Sequence, residues 1–255
     1  MILLENINYI IRENKRSKHV NIRISRRNGV VVTIPKGFSR KKIPDILSKK
    51  RKWIEDTVNS DKYYISEEAK KLPESISLRA LDEEWNVEYR PTLSKKVEVV
   101  EQLNNLTDYE TLVVFGDIND TNKCYRALCR WINHRATSEL PGFLDLISNE
   151  TNLEYNSVAI RNQKARWGSC SSNKTISLNQ KLLFLPYEYM KYILIHELCH
   201  TKHMNHSDKF WKLVEKHDPD YKNKSLITKE KGWSEYVPYW ADYNISQDIA
   251  GGDNV

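Results

Sequence analysis

No run of eighteen apolar residues occurs in this 255-residue chain, so no segment is expected to cross a bilayer as a helix. The N-terminal stretch MILLENINYIIRENKR brings in charged and amide residues too early for the apolar centre of a signal peptide. Cysteine is scarce, with four residues at 124, 129, 170 and 199. They form no CxxC pair of the zinc-ribbon kind and are too sparse for a disulfide-stapled secreted fold, so they read as reduced thiols. There are no internal repeats. Low complexity is confined to a polar tail, residues 246–255, expected to be disordered. A soluble, cytoplasmic protein is the expectation.

What is present is enough to fold. Hydrophobic residues make up 40% of the chain, sufficient to bury the core of one large domain or two small ones. The net charge of +6 is unevenly spread. Residues 11–53 hold fifteen Lys or Arg against two acids, Glu13 and Asp45, a local +13 that leaves −7 for the remainder. Such an excess attracts polyanions, so nucleic acid or an acidic protein surface is a candidate partner of this segment. A solvated basic face accounts for it more simply, because no known nucleic-acid motif sits there.

Alternation of apolar and polar residues in His19-Val20-Asn21-Ile22-Arg23-Ile24-Ser25, a turn at Arg26-Arg27-Asn28-Gly29 and the run Val30-Val31-Val32-Thr33-Ile34 predict a hairpin. Ser39 reads as the cap of one basic helix carrying Ile43, Ile46, Leu47, Trp53 and Ile54 at near-helical spacing. Residues 59–75 read as a polar connection. Strand-like pieces follow at 84–90, 97–100 and 111–115, giving a mainly antiparallel N-terminal region. From Asp120 the period becomes helical through Cys124, Ala127, Leu128, Trp131 and Ile132, up to an expected interruption at Pro141-Gly142. The expectation is therefore an α+β protein. A basic β/α region spans residues 1–118 and a compact catalytic domain residues 119–245.

The chemistry is concentrated in a predicted helix over 187–204, which contains His196-Glu197-Leu198-Cys199-His200. At about 100° per residue, His200 lies about 40° around from His196 and one turn along, so both imidazoles share a face and can share a zinc ion. Glu197 is rotated by about 100°, beside the pair, where it can take a proton from a water without being a ligand. Cys199 points away from that face and reads as core. A hydrolytic zinc needs a third protein ligand and an open position. His203 shares the helix face but lies about 10 Å along the axis from His196, a poor tetrahedral corner. His206 is better placed if the helix ends near Asn205, since Ser207-Asp208 can cap a new helix over 209–216 and fold His206 back.

Several segments together resemble a known family. They are Val158-Ala159-Ile160-Arg161, Arg166-Trp167-Gly168-Ser169-Cys170-Ser171-Ser172, Ile176-Ser177-Leu178-Asn179, Leu182, Pro186, His196 to His200, and Asn205-His206-Ser207 with Phe210-Trp211. The resemblance is to the YgjP-like metal-dependent hydrolases, themselves similar to the SprT-like and WLM zinc peptidase domains. It covers residues 120–217 and, more loosely, Arg23-Ile24, Pro35-Lys36-Gly37-Phe38 and Lys52-Trp53-Ile54. It implies a zincin-like domain, one zinc ion on His196, His200 and His206, and Glu197 as catalytic acid/base. Asn173-Lys174 stands where the family pattern suggests a turn glycine, and Asn tolerates the positive φ required.

Strand 175–179 reads as an edge that offers its backbone to an extended peptide. Arg161 and Arg166 are candidates for stabilising an oxyanion or an anionic substrate group, or else for pairing with acids such as Glu188. Asn179 and His203 complete the candidate substrate contacts. A zinc peptidase acting on protein or peptide is the leading reading. A metal-dependent nucleotide triphosphate hydrolase is the second, and a nucleic-acid-associated protein with a structural zinc the third. Glu197 argues against the last, since a closed site has no use for a base.

Overall fold

The computed structural model describes residues 9–25, 29–58, 70–102, 110–230 and 232–243. The chain divides into two compact units, Met1–Lys71 and Leu72–Val255.

In the first unit, β1 (Tyr9–Asn14), β2 (Asn21–Ser25) and β3 (Gly29–Pro35) form a sheet in the order β1-β3-β2. β2 and β3 pair antiparallel with Ile24 opposite Val30, as the alternation predicts, although the turn residues 26–28 lie outside the described residues. β1 joins β3 in parallel, a pairing that the sequence pattern did not suggest. The basic helix is two: α1 (Ile43–Lys49) and α2 (Arg51–Val58), separated at Lys50, whose φ of −106° and ψ of 10° leave the helical region. Ser39 stands before a 3-10 turn, Arg40–Lys42, and its side chain makes no capping bond. Val30, Val32 and Ile34 alternate inward from β3 and pack with Ile43, Leu47 and Ile54 as a small closed core.

In the second unit, β4 (Ser75–Leu78), β5 (Glu83–Pro91), β6 (Val97–Gln102) and β7 (Glu110–Gly116) form a mixed sheet in the order β4-β5-β7-β6, with β5 and β7 parallel. α3 (Thr121–Thr151) packs on it. The division at Lys71/Leu72 differs from the boundary expected near residue 118, and the reason is a shared core. Trp85 of β5 meets Trp131 of α3 edge to face at 5.5 Å. Trp131 Nε1 donates to Glu101 of β6 at 2.7 Å, and Arg135 pairs with Glu83.

α3 also runs straight through Pro141-Gly142, where an interruption was expected. Its buried stripe, Leu128, Ile132, Ala136, Leu140, Leu144 and Ile147, keeps helical spacing across the proline, so packing outweighs the one backbone bond that Pro141 removes. Asn152 ends the helix in the left-handed region at φ 55°.

A third sheet, β8 (Ser157–Arg161), β9 (Gly168–Cys170) and β10 (Thr175–Asn179), has the order β8-β10-β9. β10 is therefore the central strand, parallel to β8 and antiparallel to β9, and not the edge that was expected. The left-handed residue in the β9–β10 turn is Lys174, at φ 51°, rather than Asn173. Four helices follow: α4 (Tyr187–Cys199), α5 (Asp208–His217), α6 (Tyr221–Glu230) and α7 (Gly232–Tyr236), then a 3-10 turn, Tyr239–Asp242. The protein is thus mixed α+β, each sheet containing one parallel pair. The predicted disordered tail lies outside the described residues, as does most of the 59–75 connection. Among the described residues no helix is long and apolar enough to cross a membrane.

Candidate metal centre

α4 is an apolar helix buried nearly all round, with Met190, Ile193, Leu194, Ile195, Leu198 and Cys199 in the core. It ends earlier than 204, with His200 as its last, capping residue. The following turn, 201–207, leads into α5, whose amphipathic face sets Phe210 and Val214 inward. Ser207 stands at the N-cap of α5 without a side-chain bond to it. This reversal places His206 opposite α4. His206 stacks on Trp211 at 5.4 Å, and Phe210 packs against His200 at 4.4 Å.

His196, His200 and His206 come together, with their ligand atoms within 4.8 Å of one another. His196 Nε2 lies 3.2 Å from His200 Nε2 and 3.1 Å from His206 Nε2. Three donors at the corners of a tetrahedron with bonds of about 2.0–2.1 Å stand about 3.3–3.4 Å apart, so these spacings fit a small divalent ion. The protonation pattern fits as well. His200 Nδ1–H donates to the carbonyl of His203 at 3.0 Å, which leaves the Nε2 lone pair free for a metal. Burial, reinforced by the two neighbouring imidazoles, pulls His196 down to about 3, so it stays neutral. Burial also pulls His200 down.

Glu197 is buried beside this trio, and its Oε2 has no hydrogen-bond partner among the described residues. Burial pushes its pKa up to about 8, with Arg166 opposing. A buried carboxylate oxygen without a protein hydrogen-bond partner, next to three converging nitrogens, is an expensive arrangement in a chain built only to fold. Gly168, the first residue of β9, permits it. A Cβ at that position would lie 2.7–2.9 Å from the Glu197 side chain, so only glycine lets β9 close over the carboxylate.

The other candidates separate. His203 stays out of the trio, and its backbone carbonyl is the part that touches the site. Asn179 is 0% exposed and fully engaged: Nδ2 donates to the carbonyls of Gln163 and Arg166 at 2.8 and 2.9 Å, while Oδ1 accepts from the Lys181 N–H. Through these bonds it shapes the loop before β9. Arg161 and Arg166 are exposed, and neither pairs with Glu188 among the described residues. Cys199 is a core thiol, pushed up to about 12 by burial, and all four cysteines are free.

Gly168 and the buried Lys181 were missed by sequence reasoning. The signals were slight: Gly168 follows the bulky Trp167, and Lys181 directly precedes the apolar run 182–185.

The chain is similar to the metallopeptidase zymogen abylysin of Pyrococcus abyssi, with 34% identity over 35% of this chain and 93% of that chain, at a TM-score of 0.32. It is also similar to the metallopeptidase zymogen jannalysin of Methanocaldococcus jannaschii, with 25% identity over 34% and 91% of the two chains and a TM-score of 0.31. Among curated proteins none matches. Residues 18–231 match the YgjP-like metallopeptidase domain, and with most of its length so accounted for, the chain belongs to the YgjP-like family of metallopeptidases.

Proposed function

We propose that this metallopeptidase cleaves peptide bonds with one zinc ion held by His196, His200 and His206 and with Glu197 as general base. The observation that carries the reading is the trio of converging Nε2 atoms beside a buried, unpartnered Glu197 oxygen. A divalent ion there supplies Lewis-acid polarisation of the scissile carbonyl and acidifies a water.

The chain's own residues do the rest. Glu197 takes the proton of the attacking water and returns it to the leaving nitrogen, and a carboxyl whose pKa burial has raised toward neutrality suits both transfers. Among the described residues β9 pairs with β10 alone, and an extended peptide added along its other edge would be aligned over Glu197 by main-chain hydrogen bonds. Arg166 is exposed and its charge acts on Glu197, and in this reading it stabilises negative charge developing on the carbonyl oxygen.

The test is metal analysis of the purified protein beside its Glu197→Gln variant, with a peptide library and nucleotide triphosphates assayed in parallel. About one zinc per chain is expected in both proteins, with peptide turnover falling about a hundredfold to ten-thousandfold in the variant. Nucleotide hydrolysis without peptide cleavage would replace this reading with the phosphoanhydride one, for which Arg161 and Arg166 would serve as phosphate contacts.

A second partner follows from charge. Lys15, Arg16, Lys18, Lys36, Arg40, Lys41, Lys42, Lys49, Lys50 and Lys52 are all exposed in the first unit, and Trp53 beside them is 47% exposed. Exposed cations and an open aromatic ring within one segment suit nucleic acid, and we propose that this segment binds it.

A further inference from the structure

Lys181 is 0% exposed, although a methionine would fill its place without the penalty of burying an ammonium. Burial pulls its pKa below that of an ordinary lysine, and Asp242 opposes the shift. Its Nζ donates to Asn162 Oδ1 at 2.6 Å and to the Gln163 carbonyl at 2.9 Å, and lies 3.1 Å from Asp242 Oδ1. The Trp233 ring is 5.1 Å away, and Asn162 Nδ2 donates to the Tyr243 carbonyl at 3.0 Å. One ammonium therefore joins the loop 162–167 to the segment 233–243.

The same loop is also held by Asn179 and by its own Trp167. Asn179 binds the Gln163 and Arg166 carbonyls, and Trp167 donates to the Thr228 carbonyl at 3.2 Å while its ring meets Trp233 at 4.4 Å. The next residue is Gly168, against which Glu197 lies. The imidazole trio draws on α4 and the turn before α5 and contains no residue of this clasp.

We propose that Lys181 and Asp242 are positioning residues: their buried ion pair uses the C-terminal segment to fix the loop 162–167, and so holds β9 and Arg166 in register over Glu197. The kinetic part of this proposal rests on the metallopeptidase reading, and the structural part does not. A role in bulk stability alone is the competing account, and replacing both charges separates the two. Lys181→Met leaves Asp242 without its partner and invites global destabilisation. The double variant Lys181→Met/Asp242→Leu removes that penalty but still lacks the bonds to Asn162 and Gln163.

The experiment compares the zinc-loaded parent and both variants by hydrogen exchange, metal content and peptide kinetics. Full zinc occupancy is expected throughout. In the double variant the amides of residues 163–170 should exchange about tenfold or more faster while α3 and α4 stay at parent values. KM for peptide should rise about tenfold or more with a smaller change in kcat, since the alignment of bound substrate is what loosens. Parent-like exchange at 163–170 in the double variant overturns the proposal, and so does faster exchange spread evenly over α3 and α4. Loosened exchange with an unchanged KM overturns the positioning role. Absence of peptide hydrolysis in the parent sinks the metallopeptidase reading instead, and the exchange measurement then decides the clasp on its own.

Discussion

His203 and His206 differ in what each gives the site. His203 offers a main-chain carbonyl to His200 Nδ1–H, and His206 offers its own ring nitrogen. Changing His203 to Ala leaves the carbonyl in place, so zinc should remain at full stoichiometry. Changing His206 to Ala removes one of the three proposed ligands and should empty the site or weaken it by orders of magnitude. Metal content after dialysis of the two variants checks this, and a zinc-free His203→Ala protein would reverse the assignment. Gly168 is as exacting. In Gly168→Ala the new methyl meets the Glu197 side chain at 2.7–2.9 Å, so strand or carboxylate must shift. We expect a stability loss of about 1–3 kcal/mol. Turnover should fall about a hundredfold if the displacement approaches 1 Å. Parent-like turnover with zinc bound would show that β9 gives way freely.

Among the elements, α3 offers a direct test of packing against local propensity. Pro141 sits within a continuous 31-residue helix whose buried stripe runs on past it. A proline inside a helix costs about 3 kcal/mol relative to alanine, so Pro141→Ala should stabilise the protein by about 1–3 kcal/mol. A rise in the midpoint of chemical unfolding at unchanged slope checks this, and a fall would mean that the ring itself packs productively. The same helix shows why the sequence was only partly legible. Periodicity exposed its first half and the strand at 83–91, which bury one face, whereas β-rich composition marked the strands at 97–102 and 110–116. It was silent on which strand neighbours which. The central place of β10 and the parallel pairs β1–β3 and β5–β7 depend on partners far along the chain. In the site, helical geometry exposed His196, Glu197 and His200, whereas Gly168 and Lys181 act across elements and leave only a faint mark in the local pattern.

At the scale of the whole molecule, charge and chemistry fall on different parts of the chain. The +13 of residues 11–53 lies in the first unit and the metal centre in the second. If Lys49, Lys50 and Lys52 meet phosphates, affinity for duplex DNA should fall steeply with salt, with a logarithmic slope of about −0.9 per contact. Changing these three to Gln should lower both affinity and slope. Arg51 is left alone because it pairs with Glu55 at 2.9 Å. Undetectable binding at low salt, or binding indifferent to the three changes, would return this surface to the role of a solvated face.

The distance in sequence between Lys181 and Asp242 also sets an order of events during synthesis. Asp242 follows Lys181 by sixty-one residues, an interval of about 3–12 s at about 5–20 residues per second. Throughout that interval Asn162 and Gln163 lack the clasp that joins them to the end of the chain. The three histidines, all encoded before residue 207, can gather first. If the clasp positions substrate as proposed, a nascent chain can gather its three histidines before Asp242 is there to fix the loop 162–167.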